Sequence, residues 1–546
     1  MRVRTVIGSV LASALVVAAG VAAVVPASAR DSTTLLDGVK SRGDVAVGGG
    51  KVFVSADDRI VVADTEGTVT SMVTGVSGAR GLAMTPDGTR LYVALSGSGE
   101  VAEIDTAGLA VTRRIGLGAY PSPSHLSLAG NELWVGYGTS STFTGGVLGL
   151  DLSVGAPEPV QVASGMYGAP LVAAVGDTLV AGEAGLSPGS MRVYDLSTTP
   201  ATLRGVISGH TYGLSNLCDF ALTPDGSTVI SAFGAPYHYD AWSTTTLNKV
   251  GTYGAESSFP GYPVAVAVSP DGAYIAGGRH AGPRIQMHDA VTTMKTYSAD
   301  NPAGDLVSGS LAFSGSDVFG VLEDWSRGRF YLWRAEGVTL PGSTLTLTPP
   351  SGATALEPFT MTGRLTLADG SDPGAQPLEV TRQLPDGTTA TLDGVTTGAD
   401  GTFTITDTPP VGGAISYGVI WDGSPTFRWS KTSASVDVAR HATSLSVSGP
   451  TTGTARKRLV FTGVLSTAGQ VRPPAGSITV QRALTNRSGY TLTALPAAPL
   501  ATDGSFTFAD TPPVGGQYVY HVQWPGDDTF LPAYTSHEVW VRGTGG

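Results

Sequence analysis

The sequence predicts an all-β protein: a seven-bladed β-propeller followed by two immunoglobulin-like β-sandwich domains. Three observations predict it. The phrase Pro-Asp-Gly recurs at Pro86, Pro224 and Pro270, at intervals of 138 and 46 residues, and 138 is three times 46. Glycine (74 residues) and proline (35) are abundant, and no segment shows sustained apolar spacing at the helical period. A different phrase, at 401–427, returns at 504–530 with a constant offset of 103.

Residues 1–29 have the pattern of a secretory signal peptide. Arg2 and Arg4 precede an apolar run over 6–25, and Pro26-Ala27-Ser28-Ala29 matches a small-residue cleavage site. Because the run is about as long as a bilayer span, an uncleaved membrane anchor is the alternative. No second run of that length follows. We therefore expect a secreted, extracellular protein, or one loosely associated with the cell envelope, without an integral membrane segment after cleavage.

Charge and cysteine content exclude two classes of protein. The net charge is −12, and only 14% of residues are charged, so no basic patch is available to neutralise phosphates and nucleic acid is an unsuitable partner. Cys218 is the single cysteine, so no intramolecular disulfide can form. It begins an apolar strand, where we expect a buried, inert thiol rather than a nucleophile.

The predicted propeller is built from units of about 45 residues. In each unit a short apolar strand is joined to a second strand by a turn that contains glycine, Asp or Asn. Where the turn carries Pro-Asp-Gly, proline fixes φ and glycine takes the positive-φ position. The second strand occurs seven times, at 51–56, 90–95, 132–137, 178–183, 228–233, 273–278 and 317–322. Units of this length with four strands are typical of propeller blades, and seven fit into 30–339.

The third strand of each unit ends at a polar residue. We expect these side chains to cap the following turn rather than to bind metal, because equivalent positions on different blades lie far apart. They are Asp64, Asp105, Asp151, Asp195, Ser243, Asp289 and Arg334. The last unit, 309–339, contains only three strands. We predict that the spare strand at 32–39 completes blade seven.

The phrase Pro-Asp-Gly-x-x-x-Tyr-Val at 86–93 resembles the YVTN-type β-propeller repeat family. The resemblance covers about 300 residues. It implies the fold and leaves the function open.

The C-terminal repeat predicts two β-sandwich domains, at 343–440 and 441–543. Alternate positions within it carry a tyrosine, a valine and a tryptophan, which places all three on one face of a strand, where we expect them to fill the core. They are Tyr417, Val419 and Trp421 in the first copy, and Tyr520, Val522 and Trp524 in the second. These units resemble bacterial Ig-like repeat domains of secreted and cell-surface proteins, which implies a spacer or a binding module.

Candidate site residues lie at or just before the innermost strand of the predicted blades, where the central channel opens. They are Asp44, Arg80, His125, Asp219 and Tyr262. This mixed set could bind a small polar ligand, or a metal through His125 and Asp219. The alternative is a solvated rim with local ion pairs.

Other chemistry has little support in the sequence. His280 and His288 could pair across a hairpin, as a propeller lyase or lactonase would require, but no metal-type histidine spacing accompanies them. No nucleophile elbow is present. Asp422, Asp527 and Asp528 lie in glycine-bearing turns that could help to bind calcium or could simply be turns. We predict no catalytic residue, no metal and no cofactor.

The leading hypothesis is a secreted or cell-surface binding or scaffold protein, and a monomer. Propeller loops would contact an extracellular protein or polysaccharide partner, with the sandwich domains as a stalk. The alternative is a secreted lyase- or lactonase-like enzyme that acts at the channel mouth through His125 and Asp219.

Overall fold

The computed structural model describes residues 31–41, 43–141, 143–255, 261–468, 476–486 and 489–543. The predicted signal peptide lies outside these residues. The all-β prediction is confirmed, since the described residues contain a single helical turn, α1 (Gly209–Tyr212), among many strands. None of their helices is long and apolar enough to cross a membrane. The chain divides into an N-terminal unit, Ser28–Gly342 with Asp422–Trp429, and a C-terminal unit formed by the rest of the chain from Ser343 onward.

The N-terminal unit consists of short antiparallel strands. They are β1 (Ser32–Leu35), β2 (Val45–Gly48), β3 (Lys51–Ser55), β4 (Asp57–Ala63), β5 (Val69–Met84), β6 (Arg90–Leu95), β7 (Glu100–Asp105), β8 (Ala110–Gly116), β9 (His125–Ala129), β10 (Glu132–Tyr137), β11 (Gly145–Asp151), β12 (Val160–Met166), β13 (Leu171–Val175), β14 (Thr178–Gly182), β15 (Met191–Asp195), β16 (Thr202–Ile207), β17 (Ser215–Leu222), β18 (Thr228–Ala235), β19 (Tyr239–Ser243), β20 (Lys249–Tyr253), β21 (Pro263–Val268), β22 (Tyr274–Arg279), β23 (Ile285–Asp289), β24 (Lys295–Ala299), β25 (Asp305–Ser314), β26 (Asp317–Asp324) and β27 (Arg329–Ala335).

These strands form sheets in chain order. β9–β12, β13–β16, β17–β20 and β21–β24 are four-stranded sheets, and β25–β27 form another with β1 at its edge. β2–β8 form one sheet of seven strands, because the long strand β5 pairs with β4 mainly through 69–74 and with β6 through 79–84. β5 is therefore the fourth strand of one group and the first strand of the next.

The first strands of successive groups form a closed ring. They are β2, the end of β5, β9, β13, β17, β21 and β25, each in contact with the next, and β25 contacts β2. The turns that follow them lie side by side: a Cβ added to Gly88 would lie 2.4 Å from the backbone nitrogen of Gly49 in the preceding group. The first strands therefore share one direction, and the loops at their starts share one face. We call this face, with the loops joining second to third strands, the mouth face.

Burial follows from this arrangement. The second strands lie between neighbouring sheets and are buried on both sides, so Leu91–Leu95 of β6 reads as a continuous apolar run. The fourth strands lie at the outside and alternate, as the pattern of β8 shows. Continuous apolar sequence is therefore typical of the second strands, and alternating sequence is typical of the fourth strands.

The Pro-Asp-Gly phrase forms the predicted hairpin turn. Gly88, Gly226 and Gly272 adopt φ values between 68° and 74°, where a side chain would be strained. The carboxylate of Asp87 accepts hydrogen bonds from the Thr85 hydroxyl at 2.6 Å and the Thr89 amide at 3.0 Å, which lowers its pKa to about 2. The acid stabilises the turn and is absent from the cavity described below.

The predicted turn caps are confirmed at six positions. Each of these side chains accepts a hydrogen bond from a backbone amide of the following turn: Asp64, Asp105, Asp151, Asp195, Ser243 and Asp289. The turn cap predicted at the seventh position, Arg334, is wrong. β27 continues past it to Ala335, so its side chain instead pairs with Asp317 on β26, at 2.8 Å.

The C-terminal unit contains two pairs of sheets. Its strands are β28 (Ser343–Thr348), β29 (Ala353–Thr354), β30 (Phe359–Leu367), β31 (Glu379–Gln383), β32 (Thr389–Thr391), β33 (Thr402–Asp407), β34 (Gly413–Trp421), β35 (Ser430–Ala439), β36 (Thr443–Ser448), β37 (Thr452–Thr454), β38 (Leu459–Thr467), β39 (Ser477–Asn486), β40 (Gly489–Ala494), β41 (Ala498–Pro499), β42 (Ser505–Asp510), β43 (Gly516–Trp524) and β44 (Ala533–Arg542). The first sandwich pairs β28-β30-β33 with β29-β35-β34-β31-β32, and the second pairs β36-β38-β42 with β37-β44-β43-β39-β40.

The repeated aromatic strand fills the core of each sandwich, as predicted. Tyr417, Val419 and Trp421, like their counterparts Tyr520, Val522 and Trp524, are each at most 3% exposed. The immunoglobulin-like assignment of these sandwiches stays a prediction.

A polar triad lies at the edge of each core. In the second sandwich the carboxylate of Asp510 accepts hydrogen bonds from Arg482 at 2.9 Å and from the Tyr520 hydroxyl at 2.8 Å. In the first, Asp407 accepts from Arg382 at 2.7 Å and from the Tyr417 hydroxyl at 2.6 Å. Both aspartates are buried, so the triads supply charge pairing that the sequence analysis does not anticipate.

His441 joins the two sandwiches. Its amide donates to the carbonyl of Thr529 and its carbonyl accepts from the amide of Leu531, both at 2.9 Å. The imidazole Nε2 hydrogen-bonds to the carbonyl of Ala355 in the first sandwich, and the ring lies 5.6 Å from that of Phe530 in the second. The predicted boundary at 440/441 is therefore a packed junction.

Candidate functional site

A cavity of about 740 Å³ occupies the centre of the ring. It is lined by residues of β5, β9, β13, β17, β21 and β25, and by Gly43 and Asp44, which immediately precede β2. Asp44, Arg80, His125 and Asp219 all line it, together with Cys218. Tyr262, the fifth predicted site residue, does not line it. Four residues from distant parts of the sequence are thus brought together, while the binding role predicted for them stays a prediction.

Asp44 and Asp219 hold equivalent positions in their sheets. Asp44 immediately precedes β2, and Asp219 follows the irregularity within β17. Each accepts the amide of the next residue, Val45 at 2.8 Å and Phe220 at 2.9 Å. The other carboxylate oxygen accepts an amide from the first strand of the following group, Leu82 and Val266 respectively, each at 2.8 Å. These aspartates therefore bind neighbouring groups together around the cavity.

Gly81 holds the same place in the second group, immediately before Leu82. Its amide donates to the carbonyl of Ser124 at 2.8 Å. A Cβ at this position would lie 2.6 Å from that carbonyl oxygen and 2.8 Å from the Cα of His125. The absence of a side chain thus permits a direct backbone contact between sheets, where Asp44 and Asp219 use a carboxylate.

Near pH 7 the cavity keeps Asp219 mostly protonated, Asp44 divided between its two forms, and His125 neutral. Removal from water raises the pKa of Asp44 to about 7. Removal from water and repulsion from Asp44 raise the pKa of Asp219 to about 8. In both residues the hydrogen bonds accepted from backbone amides lower the pKa, but by less. Burial and the nearby Arg80 lower the pKa of His125 to about 4. Burial and Asp219 raise the pKa of the Cys218 thiol to about 11, which leaves it a poor nucleophile.

The predicted rim pairing applies to Arg80. Its guanidinium lies 3.9 Å from Asp57, and both side chains are substantially exposed. Tyr262 is 49% exposed and packs edge-to-face on Tyr237, with ring centroids 5.3 Å apart. Tyr262 therefore belongs to an aromatic pair on the mouth face and not to the lining of the cavity.

The histidine pair proposed for an enzyme does not form. His288 is fully buried in β23 and pairs with Ile275, whereas His280 follows the far end of β22 and lies 3.6 Å from Asp305. The described residues hold no cluster of three His, Cys, Asp or Glu side chains that could bind a metal. Asp527 accepts the amides of Thr529 and Phe530, as a turn residue does.

Exposed aromatic side chains mark the mouth face. The described part of the N-terminal unit has six of them, and all lie in the connections between strands on this face, Tyr212 at the end of α1: Phe143, Tyr167, Tyr212, Tyr237, Tyr262 and Trp325. The opposite face exposes only Val154, Val291 and Met294 among large apolar residues in its described loops. Sequence analysis misses this asymmetry, since the loops differ in length and carry no repeated motif.

The raised carboxyl pKa values predict how stability depends on pH. Folded Asp44 and Asp219 hold their protons up to pH about 7 and about 8, whereas the ordinary value is 3.8. The folded state therefore binds more protons than the unfolded state in this window, so stability falls as pH rises through it. His125, with its lowered pKa, acts in the opposite direction between pH about 4 and 6.5.

We therefore expect the free energy of unfolding of the N-terminal unit to fall by roughly 2 kcal/mol between pH about 6.5 and about 8. Urea titrations at the two pH values measure it. The double variant Asp44→Asn/Asp219→Asn should lose the slope, and Asp87→Asn, a turn acid with a lowered pKa, should keep it. A double variant with the wild-type slope would contradict the assignment.

No family model and no curated protein matches the chain. Similar solved structures include the Myceliophteria thermophila Cps50 (Swd1) β-propeller domain, 14% identical with a TM-score of 0.43, which covers 55% of this chain and 99% of that one. Kuenenia stuttgartiensis hydrazine synthase is 18% identical with a TM-score of 0.43, over 55% and 97%. Kluyveromyces lactis Hsv2 is 11% identical with a TM-score of 0.37, over 54% and 98%. The likeness concerns fold alone.

Proposed function

We propose that the protein is a secreted or cell-surface binding protein whose mouth face contacts an extracellular polysaccharide or protein. In this proposal the N-terminal unit is a seven-bladed β-propeller, the C-terminal sandwiches are an immunoglobulin-like stalk, and residues 1–29 direct secretion. The observation that carries it is the confinement of the six exposed aromatic side chains to one face. Exposed tyrosine and tryptophan are typical of binding surfaces, because they supply large contact area at low entropic cost.

The aromatic side chains are held in defined positions. Phe143 packs edge-to-face on Tyr167 at 5.2 Å, and Tyr212 packs on the buried Trp242 at 4.7 Å. Such pairs are worth about 0.5–1.5 kcal/mol beyond area burial. A preorganised ring loses little freedom when a ligand binds, which favours recognition over simple exposure.

Substitution of three mouth-face tyrosines tests the proposal. We expect Tyr167→Ala/Tyr237→Ala/Tyr262→Ala to weaken binding about tenfold or more. Sedimentation with cellulose, chitin and peptidoglycan, and surface capture on collagen and fibronectin, measure binding of the full chain. The control Val154→Ser/Val291→Ser/Met294→Ser changes the same number of apolar residues on the opposite face and should bind like wild type. Equal losses in both variants, or a full chain that binds none of these probes, would contradict the proposal.

The second candidate function is a lyase- or lactonase-like enzyme at the central cavity. The observation that favours it is that Asp44, Arg80, His125 and Asp219 line one cavity. Both oxygens of each aspartate already accept backbone amides, so both carboxylates have a structural role in the ring. Turnover of uronate polymers or lactones that disappears in His125→Ala would favour this enzyme over the binding protein.

A further inference from the structure

A second cavity opens from the central one on the mouth face. It has a volume of about 470 Å³ and lies between the β9–β12 and β13–β16 sheets. It shares Ser124, His125 and Ala184 with the central cavity. We call it the side groove. Its volume falls in the range of about 300–1,000 Å³ that is typical of small-ligand sites, and its continuity with the central cavity leaves room for a ligand longer than the groove.

Tyr167 forms an aromatic wall of the side groove. Its ring is 38% exposed and is supported edge-to-face by Phe143. Its backbone amide donates to the Oε1 atom of Glu183 at 2.6 Å, which fixes the loop that carries the ring. An exposed, supported ring of this kind offers a flat apolar surface to a ligand.

Glu183 supplies the acceptor of the groove. Its side chain is only 17% exposed, and its Oε2 atom lies 3.8 Å from Arg192, too far for a strong hydrogen bond. A partly buried carboxylate oxygen with spare lone pairs favours a ligand that donates hydrogen bonds. The groove also presents the side chains of Thr139 and Ser140.

The charge of the side groove excludes acidic ligands. Its described lining contains no lysine or arginine, and Glu183 is its only carboxylate. His125, whose pKa is lowered to about 4, is neutral near pH 7 and can both donate and accept. A ligand that suits these groups is uncharged, carries many hydroxyls and has a flat apolar side.

A pyranose sugar has these properties, since its hydroxyls project from the ring edge and its C–H groups form apolar faces. We propose that the side groove binds a neutral oligosaccharide, with one sugar ring on Tyr167 and sugar hydroxyls donating to Glu183. The adjoining sugar units extend past His125 into the central cavity. This inference rests on the proposed function, because it names the partner class of the same face.

Isothermal titration calorimetry of the full chain tests the inference. The probes are the neutral cellohexaose, mannohexaose and chitohexaose, and the anionic hexagalacturonate. We expect at least one neutral probe to bind, and Tyr167→Ala and Glu183→Gln to weaken its affinity about tenfold or more. Tyr167→Phe keeps the ring and should stay within about threefold of wild type. Val291→Ser changes an exposed apolar residue on the opposite face and should change affinity less than about twofold.

The outcomes separate this inference from the proposed function. Preferential binding of hexagalacturonate, an equal loss in Val291→Ser, or no binding of any neutral probe would overturn the side groove as a neutral sugar site. If the full chain then still binds collagen or fibronectin through its mouth-face tyrosines, the binding function stands. Matching thermal unfolding of the wild type and each variant shows that a lost affinity is not a lost fold.

Discussion

Replacement of Asp510 by alanine is expected to lower the free energy of unfolding of the second sandwich by about 3–5 kcal/mol. The Asp510 carboxylate accepts hydrogen bonds from Arg482 at 2.9 and 3.1 Å, and from the Tyr520 hydroxyl at 2.8 Å. Asp510 and Arg482 have side chains only 7% and 15% exposed. The variant therefore leaves a largely desolvated guanidinium without its counter-charge, and a buried hydroxyl without its acceptor.

Differential scanning calorimetry of the full chain measures this effect as a shift in the transition of the C-terminal unit. Tyr520→Phe removes one hydrogen bond and should cost about 1 kcal/mol. Asp528→Ala changes an exposed aspartate between β43 and β44 of the same sandwich and should stay within about 0.5 kcal/mol of wild type. If Asp510→Ala costs no more than Tyr520→Phe, the ion pair contributes little and the triad is a hydrogen bond alone.

Gly81→Ala is expected to destabilise the N-terminal unit by about 3 kcal/mol. The added Cβ would lie 2.6 Å from the Ser124 carbonyl oxygen and 2.8 Å from the His125 Cα. Backbone atoms of a neighbouring sheet cannot rotate away as a side chain can, so the sheets must separate. The separation would also move His125, which lines both the central cavity and the side groove.

Urea unfolding of the N-terminal unit measures the effect of Gly81→Ala. Gly116→Ala is the matched control, because a Cβ at Gly116 meets no atom within 4 Å. It should leave stability within about 0.5 kcal/mol of wild type. A Gly81→Ala variant as stable as Gly116→Ala would show that the two sheets are less closely packed than the structure indicates.

The hairpins and turn caps could be predicted because they depend on neighbouring residues. Asp87 and Gly88 specify their turn through contacts within five positions, so the sequence alone reveals it. The core role of Tyr520 follows in the same way from alternation along one strand. Four of the five candidate site residues could be predicted to surround one cavity, because the repeat fixes their positions on or next to the first strands.

Other features depend on pairs of residues whose spacing differs between the repeats, so a comparison of the repeats does not reveal them. Arg482 follows Arg382 by 100 positions, whereas Asp510 follows Asp407 by 103, so the repeat hides the equivalence of the two triads. Tyr262 is a second example. Its position just before a first strand predicts that it lines the cavity, but its ring packs on Tyr237 instead. Side chains in loops take their direction from contacts that have no period.

The pairing of β1 with β27 sets the order in which the chain can finish folding. Ser32 pairs with Arg334, so the earliest described strand has to wait until about 300 further residues have been synthesised. Bringing such distant segments together is entropically costly and slow. Until then β1 has no partner strand and its edges are open to other strands. A nascent chain therefore cannot close its ring before β27 is made, and the segment that needs shielding in the meantime is β1.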